Sequence, residues 1–303
     1  MEFNSQIVTT PPRPAATIVM LRDGADGLEV FLLKRHGLSD VLGGVHVFPG
    51  GKVDLRDAEL DMDLHLDRPQ DELRANLGEQ DLDARTAAGL YVAAIREAFE
   101  ESGVLFAQGA RQQDALRAHA LLREGHAFDE MLGRMALRLD CAGVVPWSRW
   151  ITPTVPSMMT KRFDTRFFVA AVPADQIARH DEHETTESVW IAPRAALHQY
   201  WDGTMQLAAP QIMSLAHLTH YGSVASALAA ARARRPPVVA PEPFDDEAGR
   251  VICYPGDERH SVAERALPGP TRLYLRNKRF EPEGGFEALF KPALQAAGSA
   301  APA

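Results

Sequence analysis

Apolar residues recur along the chain in two periods, one typical of strands and the other of helices. Residues 17–21 and 28–33 are rich in aliphatic side chains, and the Gly- and Asp-containing segment 23–27 between them predicts the turn of a hairpin. Residues 147–153 and 162–172 predict two further strands. The last of these is so continuously apolar that we expect it at the centre of a sheet.

The clearest helical period runs through residues 87–102, where Val92, Ile95 and Phe99 share one face and Gly103 suits a C-terminal cap. Three more helices are predicted, at residues 111–139, 194–200 and 207–231. In the first of these three, the expected core contacts are Leu116, Leu122 and Leu132. Strands and helices therefore alternate, with one more strand predicted at residues 271–276, and an α/β (α+β) fold is expected.

The polar face of the 87–102 helix concentrates negative charge. Glu97, Glu100 and Glu101 fall within about one third of the helix circumference, opposite the apolar face. Clustered carboxylates repel one another, and a hard divalent cation such as Mg²⁺ or Mn²⁺ would turn that repulsion into coordination. Arg96 precedes Glu100 by four residues and can orient it. The alternative interpretation is a solvated acidic helix face.

A second feature lies upstream, where a β-branched and aromatic stretch ends in Phe48-Pro49-Gly50-Gly51, a loop that a phosphate or metal could approach closely. Together with Arg-Glu-x-x-Glu-Glu-x-Gly-Val at residues 96–104, it resembles the two halves of a Nudix box. The second half matches at every charged position and at Gly103, while Ala98 is small where the family has a bulky apolar residue. The resemblance extends over residues 14–200 and implies a Nudix α/β/α sandwich with a mixed central sheet and extra helices.

The first half of the box departs from the family spacing. Counting forward from Gly51 places Asp57 at the first Glu of the pattern, but 38 residues then separate it from Arg96 where the family has seven. Counting backward from Arg96 reaches Ala88, so the first Glu is either replaced by Asp or absent. The acidic segment 61–83 predicts a surface excursion. A box interrupted in this way resembles the Nudix subgroup that cleaves coenzyme A (CoA) and acyl-CoA.

Residues 31–35 and 44–51 also resemble the signature of CoA-directed Nudix enzymes. Arg35 and Gly44 stand at matching positions, while Leu33 and Asp40 replace the Thr and second Arg of that signature. The alternative is an ordinary strand with a solvated basic end.

A second candidate for substrate binding is the loop 155–162, where two methionines precede Lys161 and Arg162. The alternative for this segment is a surface loop with a buried methionine.

The resemblance implies a role for each box residue. Glu100, Glu101 and the Gly50 carbonyl would bind the metal, and Glu97 would be a ligand or the catalytic base. Arg96 would orient Glu100, whereas Arg35, Gly51, Lys161 and Arg162 would bind the substrate. A distal carboxylate would come from Glu184 or Glu187, which precede a Trp and a Pro as in many Nudix domains, although either could be a solvated loop acid. The histidines at positions 180, 183 and 198 lack the spacing of a metal site.

Composition narrows the class of protein. The net charge of −9 argues against a nucleic-acid surface, which needs a basic patch. Two cysteines are too few for a disulfide framework and are expected to be buried, in a reducing compartment. No apolar run reaches 18 residues and no signal peptide is recognised, so we expect a cytoplasmic protein without a membrane partner.

These observations predict a Nudix hydrolase domain at residues 14–221, with an insertion at about 58–86 and a helical addition at about 111–139. Residues 222–303 form a C-terminal extension without a recognised motif. The expected activity is metal-dependent hydrolysis of CoA or acyl-CoA to adenosine 3′,5′-bisphosphate and (acyl-)phosphopantetheine. The alternatives are an ADP-ribose or nucleotide-sugar pyrophosphatase and a non-catalytic nucleotide-sensing module. A homodimer is a possible assembly, as in other Nudix hydrolases.

Overall fold

The computed structural model describes residues 7–37, 43–155, 161–181, 185–247, 249–277 and 279–291. Its strands are β1 (Arg13–Gly24), β2 (Gly27–Arg35), β3 (His46–Val47), β4 (Gly50–Lys52), β5 (Val145–Ile151), β6 (Phe163–Ala171), β7 (Thr185–Ile191), β8 (Val238–Val239), β9 (Glu242–Asp246), β10 (Gly249–Cys253), β11 (Arg272–Arg276) and β12 (Arg279–Glu281). Its helices are α1 (Leu55–Glu59), α2 (Met62–His65), α3 (Gln70–Leu77), α4 (Ala84–Ser102), α5 (Gln112–Arg123), α6 (Phe128–Met135), α7 (Pro193–Trp201), α8 (Ala209–Leu218) and α9 (Val224–Arg232), with a 3₁₀ helix at Phe286–Phe290.

The larger sheet is mixed and contains eight of these strands. Its central path runs β3-β2-β1-β6-β5-β8, with β4 paired to β1 and β7 paired to β2. The predicted hairpin is confirmed, since β1 and β2 pair antiparallel up to Gly24 and Gly27. The predicted central position of residues 162–172 is also confirmed: β6 pairs parallel with β1 and antiparallel with β5.

Helices cover both faces of the larger sheet, as expected for an α/β/α sandwich. Ile18 and Met20 point from β1 into a core that includes the apolar face of α4, whereas Val19 and Leu21 point into a second core with α8 and α9. This alternation is the two-residue period of a strand buried on both sides. Gly103 ends α4 in a left-handed conformation (φ 71°) and donates its N–H to the Phe99 carbonyl at 2.8 Å, as predicted.

The prediction of one continuous helix at residues 111–139 is wrong. Two helices, α5 and α6, meet at Gly125, whose φ of +93° is unfavourable for other residues and ends the first helix. Leu132 is buried as expected, but Leu116 is 60% exposed because it lies on the outer side of the shortened helix. Residues 207–231 likewise divide into α8 and α9, with Ser223 capping the second helix through Ser226 N–H.

The insertion between the two halves of the box folds into α1, α2 and α3 rather than a loose surface loop. Leu66, Leu73 and Leu77 are buried in the same core as α4. Just after α3, Glu79 accepts hydrogen bonds from Arg166 at 2.5 and 2.9 Å, and it pairs with Arg149 at 2.9 Å. Apolar contacts and buried ion pairs therefore anchor the insertion to the sheet.

The C-terminal extension forms a second, four-stranded antiparallel sheet in the order β12-β11-β10-β9. The strand predicted at 271–276 is confirmed as β11. Ile252, Tyr254 and Phe280 of this sheet belong to the same core as Trp150 of the larger sheet. Within the described ranges, no helix is both long and apolar enough to cross a bilayer.

Candidate active site

The acidic face of α4 lies beside the Pro-Gly-Gly loop. Val92, Ile95 and Phe99 are at most 1% exposed, which confirms the predicted apolar face. On the other face, the Glu97 side chain is 16% and that of Glu100 is 40% exposed. Glu97 and Glu101, which is 6% exposed, are thus packed against protein, whereas Glu100 is partly open to solvent.

Arg96 is the centre of the charge network. Its Nη1 donates to Glu97 Oε1 at 2.9 Å and to Glu100 Oε2 at 3.0 Å, so the predicted i,i+4 pair is present. Its Nη2 also donates to the Lys52 carbonyl at 3.0 Å, which ties the helix to β4. The guanidinium therefore sets the positions of two box carboxylates relative to the loop.

Asp57, which precedes the insertion in the sequence, also contacts Arg96 and completes this network. Arg96 Nε and Nη2 donate to the two Asp57 carboxylate oxygens at 2.8 and 2.9 Å, a bidentate geometry. Asp57 is only 2% exposed, whereas Ala88, the other candidate position, is an apolar core residue. The contact favours Asp57 over Ala88, because Asp57 lies on α1 and the helices α2 and α3 then return the chain to α4.

The Pro-Gly-Gly loop approaches α4 through backbone atoms. Gly50 N–H donates to Glu101 Oε2 at 2.9 Å. A Cβ at Gly51 would collide with the Glu97 carboxylate, and one at Gly50 would collide with Ala16 O and Thr17. Glycine is therefore required at position 50, where a Cβ would meet backbone atoms, whereas a Cβ at position 51 would displace the Glu97 carboxylate.

Burial and like charge raise the affinity of the carboxylates for protons. Burial raises the pKa of Glu97 to about 7, and the nearby Glu100 adds to this effect, against the opposing attraction of Arg96. Burial likewise raises the pKa of Glu100. Burial opposes the charge on Arg96, but hydrogen bonds and charge from Asp57 and the glutamates raise its pKa overall. The cluster contains more carboxylates than the Arg96 guanidinium can neutralise, so it carries excess negative charge.

A pocket of about 490 Å³ opens beside these carboxylates. Its polar lining consists chiefly of Thr17, Arg35, Gly50, Gly51, Lys52, Asp54, Glu97, Glu100, Glu101 and Gln211. Its apolar lining includes Trp150, Phe163, Phe167, Pro210, Pro241, Pro243, Ile252 and Phe280. A charged region and a large apolar region thus share one cavity, of the size that holds a small-molecule ligand.

Other residues singled out in the sequence lie elsewhere. Arg162 donates to the Thr152 and Thr10 carbonyls, Lys161 is exposed, and neither lines this pocket. Glu187 is 59% exposed and pairs with Lys34 at 3.2 Å on the β2–β7 ladder. Arg35, Gly50 and Gly51 do line the pocket. Glu184, His183, Asp40 and the two methionines of the 155–162 loop lie outside the described residues.

The oxygen atoms of the three glutamates and of the Gly50 carbonyl suit a divalent cation, although they do not yet converge on one metal position. Carboxylate and carbonyl oxygens are the ligands that Mg²⁺ and Mn²⁺ prefer, and the excess negative charge favours a cation. Among the described residues, no three His, Cys, Asp or Glu side chains already converge on a metal position. Glu97 and Glu100 turn towards Arg96, and Glu101 towards Gly50, so metal binding requires some of these contacts to be exchanged.

The C-terminal part of the pocket wall was missed by the sequence analysis. Pro241, Pro243, Ile252 and Phe280 come from the extension in which no motif was recognised. Their local pattern is that of an ordinary sheet, and their contribution depends on long-range packing against β5 and β6. The sequence offers no local signal for such a contact.

Known proteins share this architecture. A family profile described as the NUDT19 Nudix domain matches residues 7–218. The protein named acyl-coenzyme A diphosphatase NUDT19 of Xenopus laevis is 26% identical over 231 residues, covering 65% of this chain and 61% of that protein. The human protein of the same name is 26% identical over 257 residues, covering 72% of this chain and 66% of that protein. The chain therefore spans less than two thirds of the length of these relatives.

A solved structure supports the fold. The crystal structure of a NUDIX hydrolase from Alicyclobacillus acidocaldarius aligns with a TM-score of 0.60 and 27% sequence identity. The alignment covers 76% of this chain and 99% of that chain. The fold therefore has a precedent among solved structures.

Proposed function

The chain belongs to the NUDT19 Nudix domain family, and from that premise we propose that it hydrolyses the diphosphate of CoA or acyl-CoA. The products would be adenosine 3′,5′-bisphosphate and phosphopantetheine or its acyl form. The names of the frog and human relatives support this substrate class. The observation that carries the proposal is the contact of Asp57 with Arg96, which joins the two halves of an interrupted Nudix box beside a ligand-sized pocket.

Nudix hydrolases generally use divalent metals, and here Mg²⁺ or Mn²⁺ is the proposed cofactor. Glu97, Glu100, Glu101 and the Gly50 carbonyl are the proposed ligands. A bound cation supplies positive charge that offsets the diphosphate oxygens and favours ionisation of the attacking water. The raised pKa values of Glu97 and Glu100 support this assignment, because a cation relieves the repulsion between buried carboxylates.

The protein groups have separate roles in the proposed reaction. Glu97 is a metal ligand or, where it does not hold the metal, the base that accepts the proton of the attacking water, a role that its raised pKa suits. Arg96 holds Glu97 and Glu100 in position and is itself fixed by Asp57. Arg35 and Lys52 line the same pocket and are suited to bind the phosphates, while Gly51 leaves room for them. Of the remaining sequence candidates, Lys161 and Arg162 would reach a substrate only if the loop changed its contacts.

The domain organisation proposed for this activity assigns residues 14–221 to the hydrolase domain and residues 222–303 to an extension. The insertion and the two helices α5 and α6 would support the catalytic helix from the side away from the pocket. The common core that α3, α4 and Phe128 of α6 share supports this assignment.

The proposed substrate can be tested by product analysis. Purified protein with Mg²⁺ or Mn²⁺ is incubated separately with CoA, octanoyl-CoA, ADP-ribose and a nucleotide sugar, and the products are separated by chromatography. The proposal predicts adenosine 3′,5′-bisphosphate from the two CoA substrates, at a higher kcat/KM than any product from the others. Preferential cleavage of ADP-ribose would contradict the CoA assignment, and nucleotide binding without turnover would indicate a sensing module.

A further inference from the structure

We propose that the C-terminal sheet forms a binding wall for the apolar arm of the substrate, and that its residues select the acyl group. The wall is formed by Pro241, Pro243, Ile252 and Phe280. This inference rests on the proposed function, because it assigns the part of a CoA substrate that lies beyond the diphosphate. All four residues lie outside the 7–218 match to the family profile.

Strand register shows how far Trp150, which lies next to the wall, is from Lys52 of the charged loop. Lys52, Ala15, Thr165 and Trp150 are paired in one row across β4, β1, β6 and β5, and paired residues point to the same face of a sheet. Three strand spacings of about 4.8 Å place Trp150 about 14 Å from Lys52. All four residues line the pocket, so the row is a continuous floor from the charged loop to Trp150.

The extension begins where that floor ends. In β8, Val239 pairs with Trp150 in a parallel ladder, which adds the extension to the edge of the larger sheet. Pro241 and Pro243 follow directly, and Pro243 pairs with Ile252 on the neighbouring strand. The rings of Trp150 and Tyr254 meet edge to face with centroids 6.0 Å apart. The wall is therefore fixed to the catalytic sheet by hydrogen bonds and by ring packing.

The chemistry of the lining favours an amide-containing apolar chain as occupant. The carboxylates and Lys52 occupy the diphosphate region, while the far region is built from aromatic, aliphatic and proline side chains. An extended chain of about four residues' length spans the 14 Å between them, a distance suited to a pantetheine arm that carries an acyl group beyond it. Among the described residues, the part of the pocket lined by Trp150 and the wall contains no charged side chain that could bind a second phosphate.

Gln211 adds a polar side chain to the lining of this pocket. It lines the pocket from α8 and is only 7% exposed. Its side-chain oxygen has no hydrogen-bond partner within the described part of the chain. A buried acceptor of this kind is stabilised by a ligand N–H. The two amides of a pantetheine arm provide such donors.

The test compares acylated with unacylated substrate in wall variants. The variants are Pro243→Asp, which introduces a charge, and Ile252→Ala, which removes apolar volume; circular dichroism checks that each is folded. The expected result is that the ratio of kcat/KM for octanoyl-CoA over CoA falls about tenfold in both variants. Val262→Asp is the matched control, because Val262 lies in the same extension, is 47% exposed and is outside the pocket lining.

A ratio that stays at the wild-type value in both folded wall variants would overturn the inference while leaving CoA hydrolysis intact. Failure of the proposed function would instead appear as a wild type that does not cleave CoA. In that case calorimetry with S-octanoylpantetheine, which lacks the nucleotide and the diphosphate, decides the matter. Binding to the wild type that is lost in Pro243→Asp supports the wall, and no binding to the wild type overturns it.

Discussion

Asp57 shows how one buried carboxylate can replace a missing motif position. It holds Arg96 through two hydrogen bonds, and Arg96 in turn holds Glu97 and Glu100. Aspartate is shorter than the glutamate of the family pattern, so its backbone must lie closer to the arginine. The capping contact from Asp54 N–H to Asp57 Oδ2 at 2.8 Å fixes that position at the start of α1.

Asp57→Asn tests this arrangement. Removing one charge from a buried pair leaves the Arg96 guanidinium partly uncompensated, so we expect the free energy of unfolding to fall by about 3 kcal/mol. The kcat/KM for CoA should fall as well, because Glu97 and Glu100 lose their support. Urea denaturation and steady-state kinetics measure the two effects. Asp81→Asn, at an exposed position, is the control and should change neither; equal behaviour of the two variants would refute the role of Asp57.

His217 gives the protein a pH-dependent stability. It is 6% exposed and packs on the Trp147 ring with centroids 4.5 Å apart. Burial, with help from the charge of Arg234, lowers the pKa of His217 to about 3. The unfolded chain therefore binds a proton below its ordinary pKa of 6.5 while the folded chain does not, and stability is lost as the pH falls from 6.5 towards 3.

His217→Phe should remove this dependence while keeping the ring contact with Trp147. Between pH 7 and 4.5 the unfolding free energy of the wild type should fall by about 2 to 3 kcal/mol more than that of the variant. Urea denaturation at several pH values measures the difference. Parallel pH profiles for the two proteins would show that His217 becomes protonated in the folded state.

At the scale of elements, periodic apolar residues predicted the strands β1, β2, β5, β6 and β11 and the helix α4, whereas β8, β9, β10 and β12 were not predicted. The hairpin of β1 and β2, the central strand β6 and the end of α4 at Gly103 all follow from local patterns. The breaks within residues 111–139 and 207–231 were missed because apolar residues continue on both sides of Gly125 and Ser223. At these positions Gly125 and Ser223 interrupt the helix, although the helical pattern of apolar residues continues past them.

The insertion was harder to interpret because its contacts are distant in sequence. Glu79 pairs with Arg149 and Arg166, and Asp57 pairs with Arg96 across 39 positions. Neither contact can be recognised from the residues that neighbour it in the sequence. The acidic composition of residues 61–83 suggested a surface segment, although three of its leucines enter the core and one of its acids, Glu79, is paired with two arginines.

Glu79→Gln tests whether the insertion is fixed to the sheet. The Glu79 side chain is 14% and that of Arg166 is 6% exposed, so the change leaves two poorly solvated guanidinium groups sharing Asp164. We expect thermal unfolding to show a loss of about 2 to 3 kcal/mol. Glu72→Gln, which removes an exposed pair with Arg68, should cost less than about 0.5 kcal/mol. A Glu79 variant as stable as the Glu72 variant would mean that the ion pairs add nothing.

The whole molecule has a core that both sheets share. Tyr200 of α7 donates its hydroxyl to the Phe280 carbonyl at 3.0 Å and accepts from Phe280 N–H at 2.7 Å. Trp150, Tyr254 and Leu273 belong to the same buried cluster. Separating the extension from the larger sheet would expose this cluster and leave these hydrogen bonds unmade.

We therefore expect the chain to unfold in a single cooperative transition. Tryptophan fluorescence reports on all four tryptophans, of which Trp147, Trp150 and Trp190 lie in the larger sheet and Trp201 lies in α7 against Phe286, and far-ultraviolet circular dichroism reports on all elements. The two signals should give the same urea midpoint. Two separate transitions in either signal would show that the C-terminal sheet unfolds independently, and would weaken its assignment as a pocket wall.

The central claim is that the carboxylates of α4 form a metal-dependent diphosphatase centre acting on CoA. The most direct test measures release of adenosine 3′,5′-bisphosphate from CoA with Mg²⁺ or Mn²⁺, in the wild type, Glu97→Gln, Glu100→Gln and Glu130→Gln. Glu130→Gln is the control, because Glu130 lies on α6, is 50% exposed and pairs with His126. We predict release by the wild type and the control, its loss on adding EDTA, and a decrease of at least about a hundredfold in the two α4 variants. Release that persists in both α4 variants, or with EDTA present, would contradict the account.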